Sequence, residues 1–143
     1  MTRITPYLLY ENADAALQWL GTTYGFKETL RFTDSTGRVS HAEMDAGGGS
    51  VFMLGEPGSG YQSPRRSGHY NAFLHVNVDD VDAHFERARA AGATILTEPE
   101  DKEYGERGYR SEDLEGHRWE FATHVRDVEP EDWGATRPAT PAT

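Results

Sequence analysis

Cysteine is missing from the 143 residues of this chain, and its absence removes disulfide staples, thiolate metal sites and cysteine nucleophiles at once. Nothing then argues for an oxidising compartment. Long apolar runs are missing too: no stretch approaches the ~18 apolar residues of a membrane span, and Met1-Thr2-Arg3-Ile4-Thr5-Pro6 leads into no apolar signal core. A cytoplasmic protein with no membrane partner is the expectation. Basic residues are scarce, 14 Lys and Arg against 24 Asp and Glu, for a formal net charge of -10. So acidic a chain disfavours phosphate-backbone binding, which needs a basic face, and no nucleic-acid partner is expected. No P-loop, dinucleotide fingerprint or Ser-His-Asp spacing is present either.

What the chain does have is an internal repeat. Asn12-Ala13-Asp14-Ala15-Ala16-Leu17 matches Asp80-Val81-Asp82-Ala83-His84-Phe85, a shift of 80 - 12 = 68 positions. Both segments open with an N-cap residue and lead into an amphipathic helix that stops near Gly25 or Gly92. The same shift lays Asp45-Ala46-Gly47-Gly48 on Asp113-Leu114-Glu115-Gly116, each a turn signature between strand-like runs.

Between these landmarks the period is two, the signature of half-buried strands. Each half spells strand, helix, strand, strand, strand. The first runs through about Ile4–Tyr10, Ala13–Tyr24, Lys27–Phe32, Val39–Asp45 and Ser50–Gly55. The second runs through about Ala72–Val78, Val81–Ala91, Thr94–Glu98, Tyr109–Glu112 and Arg118–His124. The expected organisation is one domain over residues 1–126, with module one at about 4–55, a Gly, Ser and Pro-rich linker at about 56–71 and module two at about 72–125. A flexible tail is expected over 127–143. The fold class is α+β: two βαβββ modules forming a curved mixed sheet around a cavity, with the helices on the outer face.

Helices covering one face of a sheet demand apolar side chains on that face and leave the other register for the cavity. Leu8, Tyr10, Ala42, Met44, Phe52, Leu54, Leu74, Val76, Val78, Trp119 and Phe121 are expected to face the helices. Thr5, Tyr7, His41, Glu43, Val51, Met53, Phe73, His75, Asn77, Tyr109, Arg118 and Glu120 are expected to face the cavity. The second set mixes apolar bodies with a few polar groups, as ligand pockets do.

Over about residues 4–125 the chain resembles the vicinal oxygen chelate superfamily of glyoxalases, bleomycin resistance proteins and extradiol dioxygenases. The resemblance rests on Pro6-Tyr7-Leu8 through Tyr24-Gly25-Phe26, on Ser40-His41-Ala42-Glu43-Met44, on Val76-Asn77-Val78-Asp79-Asp80-Val81, and on Asp113-Leu114-Glu115-Gly116-His117-Arg118-Trp119-Glu120-Phe121. The run Tyr104-Gly105-Glu106-Arg107-Gly108-Tyr109 is similar to a stretch of uncharacterised glyoxalase-like members. Similar proteins are commonly homodimers, which the resemblance implies here as well.

In metal-dependent members ligands come from the first, fourth, fifth and eighth strands, and the resemblance carries those positions onto Thr5, Met53, Phe73 and Glu120. Only Glu120 is a good ligand, since Phe and Met offer no oxygen or nitrogen donor. The resemblance therefore implies the metal-free branch, without cofactor, in which antibiotic-binding resistance proteins sit. Three functions stay open. The first is a small-molecule binding protein, for an aromatic or peptide-like compound such as an antibiotic, with Tyr7, Phe73 and Tyr109 as flat contacts. His41, Glu43, Met53, His75, Asn77, Arg118 and Glu120 complete that ligand site. The second is a lyase, isomerase or dioxygenase-type enzyme, using a divalent metal on His41, His75 and Glu120 or acid–base chemistry with Glu120 as the candidate catalytic group. The third is an interaction module with a vestigial cavity. Glu120 itself is either a ligand contact or a carboxylate held by Arg118, Tyr7 or a histidine. His84 and His124 are expected at the surface, and His117 in a turn.

Overall fold

Asn12 and Asp80 open two helices by one device. Each is extended, and its side-chain oxygen accepts from the backbone N–H three residues on, Ala15 at 3.0 Å and Ala83 at 3.1 Å. In the computed structural model, which describes residues 1–139, these helices fall in the order β1 (Tyr7–Leu9), α1 (Ala13–Tyr24), β2 (Lys27–Thr33), β3 (Val39–Asp45), β4 (Val51–Gly55). There follow α2 (Pro64–Ser67), β5 (Phe73–Asn77), α3 (Val81–Ala90), β6 (Thr94–Asp101), β7 (Glu106–Glu112) and β8 (Arg118–His124), and then a single 3-10 turn at Pro130–Trp133. The fold is the α+β arrangement of two βαβββ modules that the repeat implies.

Each module makes its own four-stranded mixed sheet, ordered β1-β4-β3-β2 and β5-β8-β7-β6. β1 runs parallel to β4 and β5 parallel to β8, because a helix crosses over between the first and second strands of each module; the remaining neighbours are antiparallel. Alternation along the strands puts Leu8, Ala42, Met44, Phe52 and Leu54 of one sheet, and Leu74, Val76, Trp119 and Phe121 of the other, toward the helices. They merge with Leu17 and Leu20 of α1 and Phe85 of α3 into one core. Rings cross between the modules: Phe26 and Phe52 meet Trp119 at 5.2 and 5.4 Å, and Tyr24 meets Phe121 at 4.7 Å. Burying each such side chain contributes roughly 1.5–3 kcal/mol.

Polar contacts lock the modules further. Asp113 is buried in the turn before β8; it accepts from the Tyr10 hydroxyl (2.6 Å) and from Trp119 Nε1 (3.1 Å). Glu115 of the same turn accepts from the backbone N–H groups of Glu11 (2.6 Å) and Asn12 (2.9 Å), at the start of α1. At the other end of that helix Arg87 of α3 donates to the Gly21 and Thr22 carbonyls. Gly25 closes α1 with φ 81, and a Cβ there would come within 2.8 Å of Arg87 Nη1.

Some boundaries differ from expectation. β6 extends to Asp101 and β7 begins at Glu106, so this hairpin is longer than its polar sequence suggests. The linker carries the turn α2, whose Arg65 donates to the Asp113 and Leu114 carbonyls. Of the tail, residues 140–143 lie outside the described part. Before them Trp133 packs on Tyr104 at 5.6 Å.

Candidate functional site

The face of each sheet that turns away from the helices is uncovered and holds most of the candidate site residues. On the first sheet Tyr7, His41, Glu43 and Met53 share it, with Leu30 and Phe32 beside them by register. On the second sheet Phe73, His75, Asn77, Arg118 and Glu120 share it. Large apolar side chains are left in the open there: Phe32 is 59% exposed, Phe73 50%, Leu30 46% and Tyr7 45%. A cavity of about 620 Å³ lies where Ile4, Pro6 and Val51 of module one approach Phe73, His75 and Asn77 of module two.

Polar groups on the first face form a chain. His41 Nε2 lies 3.0 Å from Glu43 and Nδ1 lies 2.9 Å from the Tyr7 hydroxyl. The carboxylate can only accept, so Nε2–H donates to Glu43 and Nδ1 accepts from the Tyr7 hydroxyl. On the second face Glu120, 7% exposed, is held on both oxygens, by His75 Nδ1 (2.7 Å) and Arg110 Nε (2.9 Å). His75 Nε2 meets Glu106 at 3.2 Å, so the imidazole lies between two carboxylates. Burial pushes the His75 pKa down, but the Glu120 hydrogen bond and the charges of Glu106 and Glu120 outweigh it and hold the pKa above the ordinary histidine value. For Glu120 burial acts upward, and the Arg110 and His75 hydrogen bonds overcome it, so the carboxyl lies below its ordinary range.

Tyr109 is a correction. It is fully buried on the helix side, opposite Phe121, and its hydroxyl lies 2.6 Å from His84 Nδ1. The cavity-facing residue of β7 is its neighbour Arg110, opposite Glu120. Register explains the slip. Tyr7 pairs with Met53 and His75 with Glu120, so Met53 and Glu120 are counterparts; Glu43 and Arg110, their partners across the hairpins, are counterparts too. Ala42 therefore matches Tyr109, and His41 matches Gly108. His84 is likewise not a surface residue. Its Nε2 donates to the Tyr24 carbonyl at 3.0 Å, and burial holds its pKa below the ordinary value. His117, expected in a turn, does follow the Asp113–Gly116 turn, and its Nε2 reaches the Leu9 carbonyl at 2.7 Å. Residues 3–121 match the family described as the Glyoxalase/Bleomycin resistance protein/Dioxygenase superfamily.

The chain belongs to this superfamily. An uncharacterized protein of Mycobacterium bovis is 30% identical over 129 residues, covering 87% of this chain and 85% of that protein. An uncharacterized protein of Mycobacterium tuberculosis strain H37Rv is also 30% identical over 129 residues, covering 87% and 76%. The crystal structure of TioX from Micromonospora sp. ML1 is 36% identical, with a TM-score of 0.68 over 90% of this chain and all of that one. The fosfomycin resistance protein FosX from Listeria monocytogenes shares the superfamily fold, with a TM-score of 0.64 over 87% and 94% of the two chains, at 13% identity.

For the superfamily's metal positions, β4 brings Met53, β5 brings Phe73 and β8 brings Glu120, while Thr5 precedes β1. The alternative trio is divided: His41 lies on the first sheet, His75 and Glu120 on the second. Among the described residues no three His, Asp or Glu side chains group closely enough to hold a metal ion within the chain.

Proposed function

We propose that this protein binds a small molecule without a metal ion, in a cavity that a second copy of the chain closes. The observation that carries the reading is the state of Glu120. It is the one oxygen donor of its kind at the four metal positions, and both its oxygens are engaged by Arg110 and His75. A thioether at Met53 and a hydrocarbon ring at Phe73 add nothing that a hard or borderline divalent ion prefers. The residues present do not fit that ion, whereas flat apolar surface with a few fixed polar groups fits an organic ligand. An aromatic or peptide-like compound of antibiotic type is the ligand class such a surface suits.

Each chain leaves two different sheet faces open, with large apolar side chains on both. Reciprocal pairing of the first sheet of one copy with the second sheet of another covers both in a closed two-fold homodimer. The pairing also brings the Tyr7–His41–Glu43 chain opposite the His75–Glu120–Arg110 cluster. That juxtaposition favours a second reading, a metal-free enzyme of lyase or isomerase type, because a carboxylate–imidazole–phenol chain is suited to moving a proton. Conversion of a bound ligand by the pure protein would move the assignment there.

Calorimetric titration of the protein with Zn²⁺, Ni²⁺ and Mn²⁺ tests the metal-free reading. No stoichiometric uptake is expected. One ion per subunit, lost on the substitution Glu120→Gln, would overturn it.

A further inference from the structure

Two cavities flank the start of β5, and Arg118 lines both. One, about 420 Å³, lies between β1, the linker and β5, among Tyr7, Tyr61, His69, Tyr70 and His117; the other, about 490 Å³, holds Phe73, Leu96 and Arg110. The Tyr70–Arg118 stack, with the guanidinium carbon 3.9 Å from the ring centroid, borders them both. Neither lining contains an Asp or a Glu, although acids number 24 of the 143 residues and outnumber basic residues 24 to 14. In a chain this acidic, Arg118 and Arg110 are the only Asp, Glu, Lys or Arg side chains in the two linings.

Arg118 is also the guanidinium of this region whose hydrogen bonds are left open. Arg110 is tied to Glu120, Arg65 to two carbonyls and Arg66 to Glu11. Arg118 has one long contact, Nη2 to Glu112 at 3.5 Å, and its buried Nε has no partner at all, the only such side-chain polar atom among the described residues. A buried donor without a partner is unfavourable, and on a side chain 42% exposed an incoming acceptor finds a guanidinium with bonds still to make. The guanidinium fork takes a carboxylate on two parallel N–H groups, and Tyr70, Tyr7 and Phe73 supply flat apolar surface beside it.

Building on the reading of a small-molecule binding protein, we infer that Arg118 is the anion receptor of the site and that its ligand carries a carboxylate next to an aromatic ring. Indole-3-carboxylate and the neutral isostere indole-3-carboxamide, titrated by calorimetry into the full chain, test the inference. The carboxylate binds at least about tenfold more tightly, as for hydrogen bonds to a charged group. In Arg118→Met that preference disappears, and Arg118→Lys retains part of it. Equal affinity for both probes in the parent overturns the inference but leaves the small-molecule reading standing. A preference that survives in Arg118→Met overturns the role of Arg118. Failure of both probes to bind at millimolar concentration overturns the inference and counts against the reading beneath it. Thermal unfolding of each variant checks the fold, and if Arg118→Met does not fold, a full preference in Arg118→Lys is the overturning result.

Discussion

Glu120 is nearly buried yet ionised, and two partners on neighbouring strands explain how. Burial alone would raise its pKa; Arg110 and His75 reverse the direction. Because its folded pKa lies below the ordinary 4.5, its contribution to stability is complete above that value and is lost as pH falls through the lower folded one. His75 runs the other way. Its folded pKa lies above 6.5, so its contribution is complete below that value and is lost as pH rises through the higher folded one. The pair is therefore strongest between about pH 4.5 and 6.5. Glu120→Gln keeps the shape and removes the charge, and a loss of about 1.5–2 kcal/mol is expected in that window, the low end for charged hydrogen bonds because Arg110 is half exposed. Urea unfolding at pH 6 and pH 9 checks it: the deficit should be smaller at pH 9, toward which the imidazolium is lost. An equal deficit at both would remove His75 from the account.

At the scale of elements, the repeat was legible in capping and alternation, and the site was legible except where one residue had been lost. Asn12 and Asp80 stand 68 apart, but the glycines at which the chain turns out of the two helical segments, Gly25 and Gly92, stand 92 - 25 = 67 apart. The second helical segment is one residue shorter, and a one-residue change turns every downstream side chain to the other face. A uniform shift of 68 therefore aimed Tyr109 at the cavity and hid Arg110, whereas the two glycines carried the correction. Tyr7, His41, Glu43, Met53, Phe73, His75, Arg118 and Glu120 kept their faces because their own alternation, rather than the repeat, located them. The linker contacts had no such signal, since Tyr70 and Arg65 act through tertiary neighbours that no local period encodes. Capping gives a direct check on α1, whose first turn is satisfied by Asn12, Glu56 and Glu115. Asn12→Ala should cost about 1 kcal/mol. Glu115→Ala should cost more, because it frees the Glu11 and Asn12 N–H groups together and unties the turn of module two from module one. Denaturant unfolding of both variants measures the order; the reverse order would show that the inter-module tie is idle.

Across the whole molecule, the helix sides of both sheets are spent on one core and the opposite faces are left uncovered. Among the described residues no helix is long and apolar enough to cross a membrane, so a bilayer-spanning helix does not account for the exposed apolar side chains. The partner copy and the ligand proposed above would cover them. The net charge of -10 then acts at long range to disfavour indiscriminate association, and selectivity falls to the few basic groups retained beside the aromatic surface. Native mass spectrometry of the purified protein tests this account most directly, since subunit number, metal content and retained small molecules are read from one spectrum. A dimer free of divalent metal, able to retain an organic ligand, is the expected result; a monomer, or a dimer carrying one divalent ion per subunit, would contradict it.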